Sequence, residues 1–100
     1  MDLTESFPIT RERTPLGYRL APAGELDIAT VPLLEGAFDE AGDVPVLLDL
    51  EGITFIDSTG LQLLLRISDR GSGRLEIISS PALERLLEVT GVRERLPLRP

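Results

Sequence analysis

The sequence predicts an α/β fold: one domain over residues 1–100, with a mixed sheet of four to five strands and three main helices. The expected order is β-β-α-β-α-β-α, with room for a short closing strand. Three observations lead there. Strand-like and helix-like stretches alternate after residue 20, which implies parallel strands joined by helical crossovers. Turn chemistry at Thr14-Pro15-Leu16-Gly17 joins two earlier strand-like stretches into an antiparallel hairpin, which makes the sheet mixed. Val44 to Leu50 is nearly all apolar, as in a strand covered on both faces.

Residues 1–6 are polar and are expected to fray. Phe7 to Arg13 alternates only loosely and contains Pro8, which suits an edge strand. Tyr18-Arg19-Leu20-Ala21 begins the second strand, Pro22 limits how central it can be, and Gly24 to Ala29 is read as leaving the sheet. Thr30 is placed to cap a helix from Val31 to about Ala41, with Pro32 in its first turn and Leu34, Ala37, Phe38 and Ala41 on one face. Gly42 is its stop.

Asp49 interrupts the apolar strand near its end. A helix from Ser58 to about Arg70 follows, with leucines at 61, 64 and 65, and Leu63 and Ile67 widen its apolar face beyond one stripe. Gly71-Ser72-Gly73 then reads as a flexible turn, and Arg74 to Ile78 as a short strand. Ser80-Pro81 opens the third helix, whose Leu83, Leu86, Leu87 and Thr90 share a face and which Gly91 ends.

Composition removes whole classes of chemistry. The chain has no Cys and no His, which excludes disulfides, thiolate metal sites, imidazole acid–base catalysis and Ser-His-Asp triads. All ten basic residues are Arg, so there is no Schiff-base or phosphate-loop lysine. The net charge of −7 repels nucleic acid and anionic lipid. No apolar run approaches the roughly 20 residues of a membrane span, and Met1 to Ser6 lacks the order of a signal peptide. A cytoplasmic, non-enzymatic protein with protein partners is expected, without metal or cofactor.

The informative stretch is Phe55-Ile56-Asp57-Ser58-Thr59-Gly60. A helix beginning there gathers unpaired backbone N–H groups and the positive end of the helix dipole, so a phosphate on an exposed Ser58 hydroxyl would be well received. The plainer reading makes Ser58 an N-cap and Gly60 a relief of crowding. Gly60 is nevertheless a poor helix residue, which points to something approaching closely. Asp27, with Gly24 and Glu25, either belongs to a turn that helps cap the Thr30 helix or lies beside Ser58 as part of an acidic contact site. Asp27, Asp49 and Asp57 lack the supporting residues of a glycosidase pair or a magnesium site.

Val46 to Leu61, Val-Leu-Leu-Asp-Leu-Glu-Gly-Ile-Thr-Phe-Ile-Asp-Ser-Thr-Gly-Leu, resembles the signature of the STAS-domain anti-sigma-factor antagonists. Gly24-Glu25-Leu26-Asp27 followed by Thr30 resembles that family's segment before its first long helix. Leu83 to Gly91 resembles its third helix and stop. The likeness runs over roughly residues 7–98. Two departures from the family pattern stand out: the chain stops at Pro100, where many relatives continue into another helix, and the Arg70–Arg74 turn is short.

The resemblance implies a bacterial regulator that is phosphorylated on Ser58. It implies that the unphosphorylated form binds an anti-sigma factor which is also a serine kinase, releasing the sigma factor, and that a serine phosphatase restores this form. Asp27, Asp57, Ser58, Thr59 and Gly60 become the expected partner-binding residues, on a monomer or weak dimer. The competing expectation is a STAS scaffold or small-ligand sensor in which Ser58 is never phosphorylated.

Overall fold

The computed structural model describes residues 6–71 and 73–100. Its elements are β1 (Ile9–Arg13), β2 (Tyr18–Leu26), α1 (Val31–Ala41), β3 (Val46–Asp49), β4 (Gly52–Ile56), α2 (Ser58–Arg70), β5 (Leu75–Ile78) and α3 (Pro81–Thr90), then a 3-10 turn at Arg93–Arg95. The expected fraying of residues 1–6 concerns, apart from Ser6, residues outside that description. So does Ser72 of the expected Gly71-Ser72-Gly73 turn.

The sheet is mixed and five-stranded, as expected, but its order is β-β-α-β-β-α-β-α. β1 pairs antiparallel with β2, β2 runs parallel to both β3 and β4, and β3 runs parallel to β5. The expected single strand over Val44 to Leu50 is shorter, and a separate strand follows it. Asp49 explains the break: its carboxylate accepts the Glu51 N–H at 3.0 Å, which folds the backbone out of β3. The Leu50 carbonyl then accepts the Ile53 N–H at 2.9 Å as β4 begins.

β2 also runs further than Tyr18–Ala21, through Pro22 and on to Leu26. Tyr18 to Leu20 pair with β3, and Ala23 to Leu26 pair with β4. Tyr18 donates its N–H toward Pro45 on the β3 side, and Ala23 donates toward Pro8 on the opposite side. By alternation, the N–H that Pro22 lacks faces the gap where β3 hands over to β4, so no ladder bond is lost. Gly24 follows with φ of 110°, at a shift in register. A Cβ there would stand 2.7 Å from the Ser6 carbonyl oxygen, in a backbone region that side chains rarely enter.

Leu20, Val46, Leu48, Leu75 and Ile77 point to one face of the sheet and form the core with Leu34 and Ala37 of α1 and Leu63, Leu64 and Ile67 of α2. The wide apolar face of α2 is therefore buried, as its breadth predicts. Glu35 and Asp39 of α1 take ion pairs from Arg66 and Arg70 of α2, at 3.0–3.5 Å, tying the two helices along their solvent edge. α3 packs on β4, with Ala82, Leu83 and Leu87 buried. Its ends follow the expected signals: Ser80 accepts the Leu83 N–H at 3.2 Å, and Gly91 closes it. The closing strand reduces to a single bridge between Leu98 and Ile77.

Candidate functional site

β2 and β4 end side by side, with Leu26 paired to Ile56. Asp27 and Asp57 therefore leave the sheet at neighbouring positions, their backbones about 5 Å apart as adjacent strands dictate. The Asp57 N–H still reaches the Leu26 carbonyl, at 3.4 Å. The loop carrying Asp27 and the turn carrying Ser58 thus share one end of the sheet.

The N-cap of α2 is Asp57, not Ser58. Asp57 has extended backbone, and its Oδ1 accepts the Gly60 N–H at 3.0 Å while its carbonyl accepts the Leu61 N–H at 3.0 Å. Aspartate caps as well as serine, and being one residue earlier it takes the position. Ser58 becomes the first helical residue. It is exposed, and among the described residues its hydroxyl makes no hydrogen bond. The N–H groups of Ser58 and Thr59, which no helical carbonyl can reach, meet the same positive helix end. Thr59 is half-buried beside them.

Gly60 is buried, and the group that approaches it is the protein's own. A Cβ on Gly60 would stand 2.7 Å from the Leu26 carbonyl oxygen and 3.0 Å from side-chain carbons of Leu26 and Ile56. The close approach expected at Gly60 is thus internal, the first turn of α2 against the end of β2.

For Asp27 the capping reading holds, on a loop that lies at the same sheet end as Ser58. Its Oδ1 accepts N–H bonds from Ala29 at 3.0 Å and Thr30 at 3.2 Å, and its carbonyl accepts from Val31 at 2.9 Å. Asp27 does the capping expected of Thr30, which stands at the N-cap position with no side-chain bond into the helix. The Thr30 hydroxyl instead donates to the Glu25 carbonyl at 2.6 Å and accepts the Asp27 N–H at 3.0 Å, cross-bracing the loop. Only Oδ1 of Asp27 and of Asp57 is engaged, which leaves the second carboxylate oxygen of each without a protein partner among the described residues.

Asp49 does not join them. It is buried on the sheet and paired with Arg19 at 2.5 Å. Among the described residues no three carboxylates form a group able to hold a metal, and no helix is long and apolar enough to cross a membrane. Two apolar side chains on the neighbouring segments stand exposed, Ile28 at 76% on the Asp27 loop and Phe55 at 49% on β4, toward α3. Sequence reasoning passed over both: Ile28 lay in a segment read as loop, and Phe55 in a strand not expected. An apolar residue outside any recognised periodicity carries no sign of whether it is covered.

A family model described as "Mlab, STAS domain" matches residues 9–100. An anti-sigma-B factor antagonist of Staphylococcus aureus is 33% identical over 84 residues, covering 77% of this chain and 78% of that protein. The crystal structure of an anti-sigma factor antagonist from Mycobacterium paratuberculosis superposes with a TM-score of 0.82 at 25% identity, covering 100% of this chain and 91% of the other. The unphosphorylated form of the anti-sigma factor antagonist SpoIIAA shares the fold, with a TM-score of 0.68 at 18% identity over 92% of this chain and 88% of the other.

Proposed function

The chain belongs to the STAS-domain anti-sigma-factor antagonist family, and from that premise we propose that it is a phosphorylation-switched antagonist acting in the bacterial cytoplasm. Its unphosphorylated form binds an anti-sigma factor that is also a serine kinase, and this frees a sigma factor. Phosphorylation of Ser58 ends the binding, and a serine phosphatase restores it. The protein acts by occupying a partner and carries out no chemistry of its own.

The observation that carries this reading is the division of labour between Asp57 and Ser58. Because Asp57 holds the helix cap, the Ser58 hydroxyl has no structural duty and stands in solvent. A phosphate there adds about −1.5 to −2 charge next to the free N–H groups of Ser58 and Thr59, which the helix end receives well. The domain keeps its fold.

A partner seated on Asp27, Asp57, Ser58 and Thr59, with Gly60 beneath, meets a different situation. It packs against a neutral hydroxyl between two carboxylates. Turning that hydroxyl into a dianion buries unmatched charge beside Asp27 and Asp57, which costs several kcal/mol and shifts affinity by orders of magnitude.

The test is incubation of the full chain with its anti-sigma factor kinase and ATP, followed by mass spectrometry. One added phosphate on Ser58, together with loss of complex, is the expected result. Absence of any phosphate on Ser58 with an active kinase overturns the switch and leaves a scaffold or ligand-sensing role.

A further inference from the structure

We propose that the exposed face of α3 is a contact between two copies of this chain. Thr54 and Phe55 of β4 and Ala82, Arg85, Leu86 and Val89 of α3 line a shallow hollow. Val89 is 80% exposed and Phe55 49%, two of the most exposed large apolar side chains among the described residues. The four helix residues recur at i, i+3, i+4 and i+7, so they form one stripe.

The charges at the rim say what covers it. Arg85 and Glu88 are both exposed, and neither has an ion pair or hydrogen bond among the described residues. Every other arginine except Arg95 is engaged by a carboxylate, a carbonyl or a ring. A chain of net charge −7 repels its own copies over most of its surface. One flank of this stripe instead carries an unpaired charge of each sign, Arg85 and Glu88, beside the apolar centre, and a second copy matches it by symmetry.

In an antiparallel pairing about a two-fold axis between Leu86 and Leu87, Arg85 of one copy falls opposite Glu88 of the other, and the reverse. Such an interface is isologous, so each match is made twice. Val89 of each copy then drops toward the hollow between Phe55, Ala82 and Leu86 of its neighbour.

The face is one short helix and part of an edge, so the contact lies at the small end of specific interfaces, with a dissociation constant on the order of 100 µM. Sedimentation equilibrium of the full chain from about 10 µM to about 1 mM brackets that value. The expected result is a monomer–dimer equilibrium that Arg85→Glu weakens about tenfold, that Glu88→Arg weakens alike, and that the double variant restores. Arg85, Glu88 and Val89 are all exposed, so thermal midpoints stay within about 2 °C of wild type. A monomer mass at every concentration overturns the proposal, and so does a double variant no tighter than the single ones. On the unmodified protein, concentration-dependent amide shifts confined to residues 54–56 and 81–90 support it, and shifts centred on Ile28 and Ser58 overturn it in favour of the switch surface.

Discussion

The Cα of Gly60 lies against the carbonyl of Leu26, so closely that a single added methyl would stand 2.7 Å from the oxygen. The first turn of α2 is thereby locked to the end of β2, and with it the distance between Ser58 and the loop carrying Asp27. Replacing Gly60 by Ala drives a methyl against the Leu26 backbone carbonyl, which cannot swing aside as the end of a flexible side chain would. The expected loss is about 1–3 kcal/mol, seen as a thermal midpoint lower by roughly 4–8 °C for each kcal/mol. A midpoint unchanged by Gly60→Ala contradicts the packing described.

Among the described residues the Ser58 hydroxyl has no fold partner to lose. Ser58→Ala is expected to keep partner affinity and thermal midpoint while abolishing phosphorylation. Ser58→Glu is expected to weaken anti-sigma factor binding about 10–100-fold in calorimetry, with the midpoint moved by no more than about 2 °C. Equal affinity of the wild-type and Ser58→Glu proteins argues against charge as the switch.

Asp57 combines a cap with a charge, and two substitutions separate them. Asp57→Ala removes the bond to the Gly60 N–H and is expected to cost about 0.5–2 kcal/mol of stability. Asp57→Asn retains a capping oxygen, so its stability loss in chemical denaturation is expected to be the smaller one. If partner affinity depends on the carboxylate, both variants weaken binding in calorimetry, although only the alanine variant is much less stable.

Glu84 gives the acid limb of stability one named source. The Ser79 hydroxyl donates to its carboxylate at 2.6 Å and Arg93 pairs with it, and these hold its pKa below the ordinary carboxylate value. A pKa lower in the folded than in the unfolded chain means stability that is present above the unfolded value and disappears as pH falls through the folded one. Thermal midpoints of wild type and Glu84→Gln are therefore expected to differ at neutral pH and to converge as pH falls below the ordinary glutamate value and through the lowered one, the gap being at most a few degrees because the pair is partly exposed.

Helix limits were legible because their signals are local. Pro32 and Gly42, Ser80-Pro81 and Gly91 each act on backbone within a turn of themselves, and α1 and α3 lie where those residues put them. β4 was not legible. Gly52–Ile56 is short, opens on glycine, and fits its place only through pairing with β2, about thirty residues earlier. The same pairing carries β2 past Pro22, which looks like a barrier until the gap between β3 and β4 is seen. At the site, Ser58 and Asp27 could be named from the sequence. That Asp57 rather than Ser58 holds the cap depends on which residue turns helical first, and two good capping residues in succession leave that to the three-dimensional fit.

The cap on Asp57 has one further consequence. The phosphorylation proposed for the neighbouring hydroxyl breaks no bond of the scaffold, so it is expected to leave the backbone as it is. Any enzyme, antibody or inhibitor meant to tell the two states apart is then expected to read the added group itself, by its charge and bulk at that helix start, and not a rearranged fold.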